Sequence, residues 1–117
     1  MLPHERFDAW KSGHELAVTV YQVTTLWPVY ERYGLTSQTR RAAVSIVTNI
    51  AEGSARRGRH EFQRYLNISL GSLAELGCLL HVALDVGVVT SDDWERLDQL
   101  RDATGKRLWG LYRSLRS

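Results

Sequence analysis

The chain has little cysteine and little proline: one Cys78, and only Pro3 and Pro28, in 117 residues. A single cysteine excludes an intramolecular disulfide and fits a reducing cytoplasm. Both prolines lie outside the helical patterns, so no long helix loses a backbone donor in its interior. No uninterrupted apolar run approaches the roughly 20 residues of a bilayer span. Met1-Leu2-Pro3-His4-Glu5-Arg6 lacks the apolar core of a secretory leader. The expectation is a cytoplasmic protein with no membrane partner.

Several kinds of chemistry are missing too. Carboxylate-bridged di-iron bundles need Glu-x-x-His pairs on two helices, and no glutamate here is followed by histidine three residues later. No Walker loop, dinucleotide glycine pattern or G-x-S-x-G occurs. Small helical ribonucleases of the higher-eukaryote and prokaryote nucleotide-binding class have four to six residues between an Arg and the His that follows it. His60 follows Arg56 and Arg57 too closely, and His14 and His81 have no Arg at that spacing. Cys78 and His81 have a ligand-like spacing, but no second pair completes a metal site, so both are expected to be core residues. No catalytic residue, metal or cofactor is expected.

What is present is helical periodicity. Apolar residues make up 44% of the chain and charged residues 24%, ordinary for one globular domain spanning residues 1–117. Phe7, Trp10, Leu16, Ala17, Val20, Val23, Thr24 and Trp27 mark one face of a first helix that Pro28 should stop. A second helix carries Ala43, Ile46, Ile50 and Gly53 at three-four-three spacing, with Thr36 or Ser37 as cap and Gly53 at its end. A third, capped by Gly58, has the cleanest seam: Phe62, Leu66, Ser69, Leu73, Leu76, Leu80 and Ala83. Thr90-Ser91-Asp92-Asp93 opens a fourth, with Trp94, Leu97, Thr104, Leu108, Leu111 and Leu115. The expected helices are about 7–27, 37–53, 59–86 and 92–113. Short connections imply antiparallel neighbours, hence an all-α, up-down-up-down four-helix bundle.

Two features go beyond scaffolding. A second small and polar line on helix two, Ala42, Ser45, Asn49 and Glu52, permits close helix approach. Buried polar groups need partners, so Asn49 and Glu52 are expected to meet Ser72 or Glu75 of helix three in a structural network. Helix three also shows a second apolar face, Tyr65, Ile68, Leu79 and Val82, more than a lone bundle requires. That surplus suggests packing against another subunit.

Charge is unevenly spread. The formal net is only +2, yet the stretch from Arg32 to Asn67 sums to +5 and that from Asp85 to Asp102 to −4. Thirteen of the fifteen basic residues are arginine, whose fork suits bidentate phosphate contacts. The candidate nucleic-acid contacts are Arg40, Arg41, the turn residues Arg56, Arg57 and Arg59, Arg64 one turn on, and Lys106 and Arg107 in the acid-free tail.

The stretch Gln38-x-Arg40-Arg41-Ala42-Ala43-x-Ser45-Ile46-x-x-Asn49-Ile50-Ala51-Glu52-Gly53 resembles the four-helix bundle family encoded in intervening sequences of bacterial large-subunit ribosomal RNA genes. Tyr33-Gly34-Leu35, Glu61-Phe62 and Gly71-Ser72-Leu73-x-Glu75-Leu76 are similar to it as well, over roughly Phe7 to Gly87. The resemblance implies a ring of bundles, typically a pentamer. It also implies likeness to the accessory proteins of diversity-generating retroelements, which bind reverse transcriptase and nucleic acid through basic surfaces. The expected function is a non-enzymatic, oligomeric nucleic-acid-binding bundle, with RNA the favoured ligand and DNA the other. The alternative is an adaptor for an acidic or nucleoprotein partner.

Overall fold

The computed structural model describes residues 2–116. Four helices account for most of it: α1 (Asp8–Thr24), α2 (Leu35–Ala55), α3 (Arg59–Asp85) and α4 (Ser91–Ser114). Short 3₁₀ turns at Pro3–Arg6 and Val29–Glu31 precede α1 and α2, and no strand occurs among the described residues. α1 packs on α2 and α4, and α3 packs on the same two, so the helices sit at the corners of a square. Pairs across the square fix the directions. Phe7 meets Phe62, Arg40 reaches the Tyr21 carbonyl, and His81 meets Trp94. The result is the expected antiparallel bundle, a rod of 45 × 23 × 23 Å.

The seams read from the sequence form the core. Leu16 and Val20 of α1, Ala43, Ile46 and Ile50 of α2, Leu66, Leu76 and Ala83 of α3, and Leu97 and Leu108 of α4 are fully buried. Each large aliphatic side chain removed from water contributes about 1.5–3 kcal/mol. The ends of the seams fray: Phe7, Trp10, Phe62, Trp94, Leu111 and Leu115 are partly covered.

α2 and α3 approach most closely, and small side chains allow it. The Ser69 hydroxyl donates to the Ile46 carbonyl at 2.7 Å, and the Ser45 and Ser72 hydroxyls lie 2.7 Å apart. Gly53 belongs to this contact. It does not end α2, which continues to Ala55; a Cβ on Gly53 would lie 2.7 Å from the Tyr65 Cβ. Gly13 plays the same part between α1 and α2, where a Cβ would come within 2.9 Å of the Val47 methyl. Its burial was not anticipated from the apolar pattern, because glycine adds nothing to a hydrophobic count.

Other helix ends also depart from the sequence reading, while two caps agree with it. α1 stops at Thr24 rather than running to Trp27. The Thr24 and Thr25 hydroxyls bond back to the Val20 and Tyr21 carbonyls, while the Leu26 and Trp27 amides turn to acceptors three residues back. These bonds tighten the last turn before proline is reached. α2 begins at Leu35 with Gly34 as N-cap, so neither Thr36 nor Ser37 caps it. The Glu31 carboxylate accepts from the Leu35 amide instead, at 3.3 Å, and Thr36 is buried. α4 starts one residue earlier than expected, at Ser91. Gly58 is the N-cap of α3, with φ 87° that favours glycine, and Thr90 caps α4 by accepting from the Asp93 amide at 3.2 Å.

α3 is long and apolar enough, by length and composition, to cross a membrane. Its pattern here is that of a core helix: Leu66, Leu73, Leu76 and Leu80 are buried in the bundle, and Ser69 and Ser72 hydrogen-bond to α2.

Candidate nucleic-acid interface

Antiparallel packing brings three distant segments to one end of the rod. The α2–α3 turn, the start of α1 and the last turn of α4 all lie there. Phe7 meets Phe62 edge-on at 5.5 Å, and the Gln63 side-chain amide donates to the Tyr112 carbonyl at 3.4 Å. The turn arginines therefore share their end with Arg6, Arg113 and Arg116. These three were missed as sites. The signal for them was topological: in an up-down-up-down bundle, the tail of helix four must return beside the start of helix three.

The turn arginines are in different states. Arg57 and Arg59 are exposed and form no ion pair among the described residues. Arg56 is loosely tied to Glu52 at 4.0 Å and lies over the Tyr65 ring. Arg64 donates to Glu61 at 2.8 Å and also lies over Tyr65, 4.6 Å from its centroid. That hydrogen bond and charge hold the Glu61 carboxyl below its ordinary range and raise the Arg64 guanidinium. Arg57 and Arg59 are thus the freest donors, and Arg56 and Arg64 are oriented on a tyrosine face.

The other candidates do not join this end. Arg40 and Arg41 lie near the start of α2, about 22 Å of helix from Arg56. The Arg40 Nε donates to the Thr24 hydroxyl at 2.8 Å, and its guanidinium covers Tyr21 at 4.6 Å. Exposed Arg41 lines an open groove of about 630 Å³ with Tyr21, Gln38, Ser45, Thr48 and Glu75. Lys106 pairs with Asp102 at 3.1 Å. Arg107 donates to the Ser12 hydroxyl at 2.6 Å, tying α4 to α1.

The polar network is narrower than expected. The Asn49 side chain donates to the Ser45 carbonyl at 2.8 Å and to the Ser45 hydroxyl at 3.0 Å, and Ser45 in turn meets Ser72. Glu52 and Glu75 are exposed and stand outside it. Glu52 lies two turns from Ser45 and Glu75 about one turn from Ser72, and both reach solvent, where a carboxylate keeps its hydration. Cys78 and His81 are exposed as well, not core residues; His81 rests edge-on against Trp94 at 5.5 Å. Among the described residues no group of three His, Cys, Asp or Glu could hold a metal ion.

These features define an antiparallel four-helix bundle with one arginine-rich end. The chain belongs to the 23S rRNA-intervening sequence protein family, whose family model matches residues 5–110. A solved structure from Bacteroides thetaiotaomicron, a protein of unknown function from the S23 ribosomal protein family, is similar with a TM-score of 0.81. It is 23% identical, over 89% of this chain and 97% of that one, which shows the shared fold. A search of curated proteins finds no match.

Proposed function

We propose that this protein is a non-enzymatic, oligomeric RNA-binding bundle whose primary contact is its arginine-rich end. One observation carries the reading: Arg57 and Arg59 stand exposed and, among the described residues, without a carboxylate partner, beside the ordered Arg56 and Arg64. Unpaired arginines at a helix junction are free to replace counterions on phosphates. Membership of a family named for 23S rRNA intervening sequences favours RNA over DNA.

Self-association belongs to the same proposal, as a pentamer by the family resemblance. It is supported by the half-exposed apolar side chains Ile68 and Val82 on α3, Val18 and Tyr21 on α1, and Trp109 on α4. Copies related by a ring would repeat the basic end and multiply its field. A nucleoprotein partner, as for the accessory proteins of diversity-generating retroelements, is compatible with the same surface.

The test is RNA binding by fluorescence anisotropy across a salt series, with Arg56, Arg57 and Arg59 all changed to Glu. The three side chains are exposed, so helicity should be unchanged. Affinity should fall and the salt slope should shrink by about two for the three lost phosphate contacts. Binding that ignores salt, or that survives the triple substitution, refutes the reading. A partner captured after nuclease digestion, with no RNA binding, would turn it to the adaptor.

A further inference from the structure

The connection between α1 and α2 carries the most exposed aromatic side chains of the bundle, Tyr30 at 81% and Tyr33 at 90%. Neither ring packs on another aromatic or under an arginine among the described residues. They lie in a tight turn, where the Glu31, Arg32 and Gly34 amides bond to carbonyls three residues back. The 3₁₀ run ends at Glu31, so Tyr30 lies within it and Tyr33 in the turn that follows. The two rings therefore stand three residues apart on one connection, each open to solvent. An exposed aromatic face of this kind is a platform on which an unpaired base can stack.

Their surroundings are basic. Arg32 is exposed and forms no ion pair among the described residues; with Val29 and Arg40 it lines a small recess beside the turn. Arg41 follows on the neighbouring groove. The one carboxylate within the turn, Glu31, accepts from the Leu35 amide. The acids of this end of the rod, Asp85, Asp92 and Asp93, belong to the α3–α4 connection and would repel a phosphate chain from that side.

We propose that Tyr30 and Tyr33 form a stacking site for an unpaired RNA base, with Arg32 and Arg41 on the adjoining phosphates. This deepens the RNA-binding reading and rests on it: the ligand is a single strand, held at two places. From Arg41 to Arg56 is about 22 Å along α2, so a strand spanning both sites covers several nucleotides. Duplex bases, already stacked and paired, offer no free face to the rings.

Two labelled probes test this: a single-stranded oligoadenylate RNA of about twelve nucleotides and an RNA duplex of the same length. Tyr30→Ala with Tyr33→Ala should weaken the single strand about tenfold or more and leave the duplex unchanged. Tyr30→Phe with Tyr33→Phe keeps the rings and should stay within about twofold of the parent. The arginine-to-glutamate triple variant should weaken both probes. If the alanine variant binds the single strand like the parent, or loses both probes equally, the stacking site is wrong while the arginine reading stands. If the parent binds neither probe, both fall. A drop in solution mass with RNA affinity unchanged would assign the tyrosines to subunit contacts and overturn the proposal.

Discussion

Gly53→Ala and Gly71→Ala make the same chemical change in two helices and should move stability in opposite directions. A methyl on Gly53 would sit 2.7 Å from the Tyr65 Cβ and 2.9 Å from Phe62 Cδ1, with the Phe62 carbonyl at 3.4 Å. The nearest atom is a Cβ, fixed to the α3 backbone, so no rotamer change relieves the clash; α2 and α3 must separate. Overpacking of this kind costs about 1–3 kcal/mol, and a contact this short with rigid atoms belongs at the upper end. Alanine returns about 1 kcal/mol of helix propensity, leaving a net loss of about 2 kcal/mol. For a domain of this size that lowers Tm by about 8 °C. Gly71 is exposed on α3 with nothing within 4 Å of an added Cβ. There alanine keeps its propensity gain, about 0.5–1 kcal/mol, and raises Tm by about 3 °C. Thermal unfolding followed by circular dichroism at one protein concentration reads both. Shifts of the same sign, or a Gly53→Ala protein as stable as its parent, would show that the α2–α3 contact is not set by the missing side chain.

Ile68→Asp combined with Val82→Asp places two charges on the apolar stripe of α3, where each parent side chain is just under half exposed. The solution mass should fall to the 13.4 kDa of one chain with helicity retained, and an unchanged mass would exclude that stripe as the subunit contact. Glu61, whose carboxyl the Arg64 hydrogen bond lowers from 4.5, should titrate below that value by NMR, and Arg64→Gln should bring it back up. Because the folded-state value is the lower one, the pair contributes in full above the unfolded value and is lost as pH falls through the folded one. A midpoint indifferent to Arg64→Gln would refute the pairing.

Much of this fold is legible in the sequence, and the reason is period. Phe62 to Ala83 alternates four and three without a break, and only a helix puts those side chains on one face. Gly58 and Thr90 were readable as caps because each has local chemistry for the role. The failures share a cause as well. Gly53 looks like a helix stop until its neighbour Tyr65 is in place, and Gly13 is invisible to a hydrophobic count. The Glu31 cap comes from a side chain reaching four residues forward, not from the hydroxyls nearest the helix start. Glu52 and Glu75 share a helical face with buried residues, yet lie far enough around it to reach water. A residue's angle on a helix is legible; how deep the neighbouring helix sits against it is not.

The same distinction governs the charge. A net of +2 suggests a nearly neutral surface. Antiparallel packing gathers Arg57, Arg59, Arg113 and Arg116 at one end, while Asp85, Asp92, Asp93 and Glu95 share the other with Arg32, Arg40 and Arg41. The rod is 45 Å long, whereas exposed charges are largely screened beyond about 8 Å at physiological salt. A phosphate near the arginine-rich end therefore responds to the arginines and hardly to the far acids. On the proposed RNA-binding reading, the quantity that governs this contact is the local charge at that end. It is set jointly by the turn that joins α2 to α3 and by the topology that returns α4 beside it, so a count along any one stretch of sequence understates it.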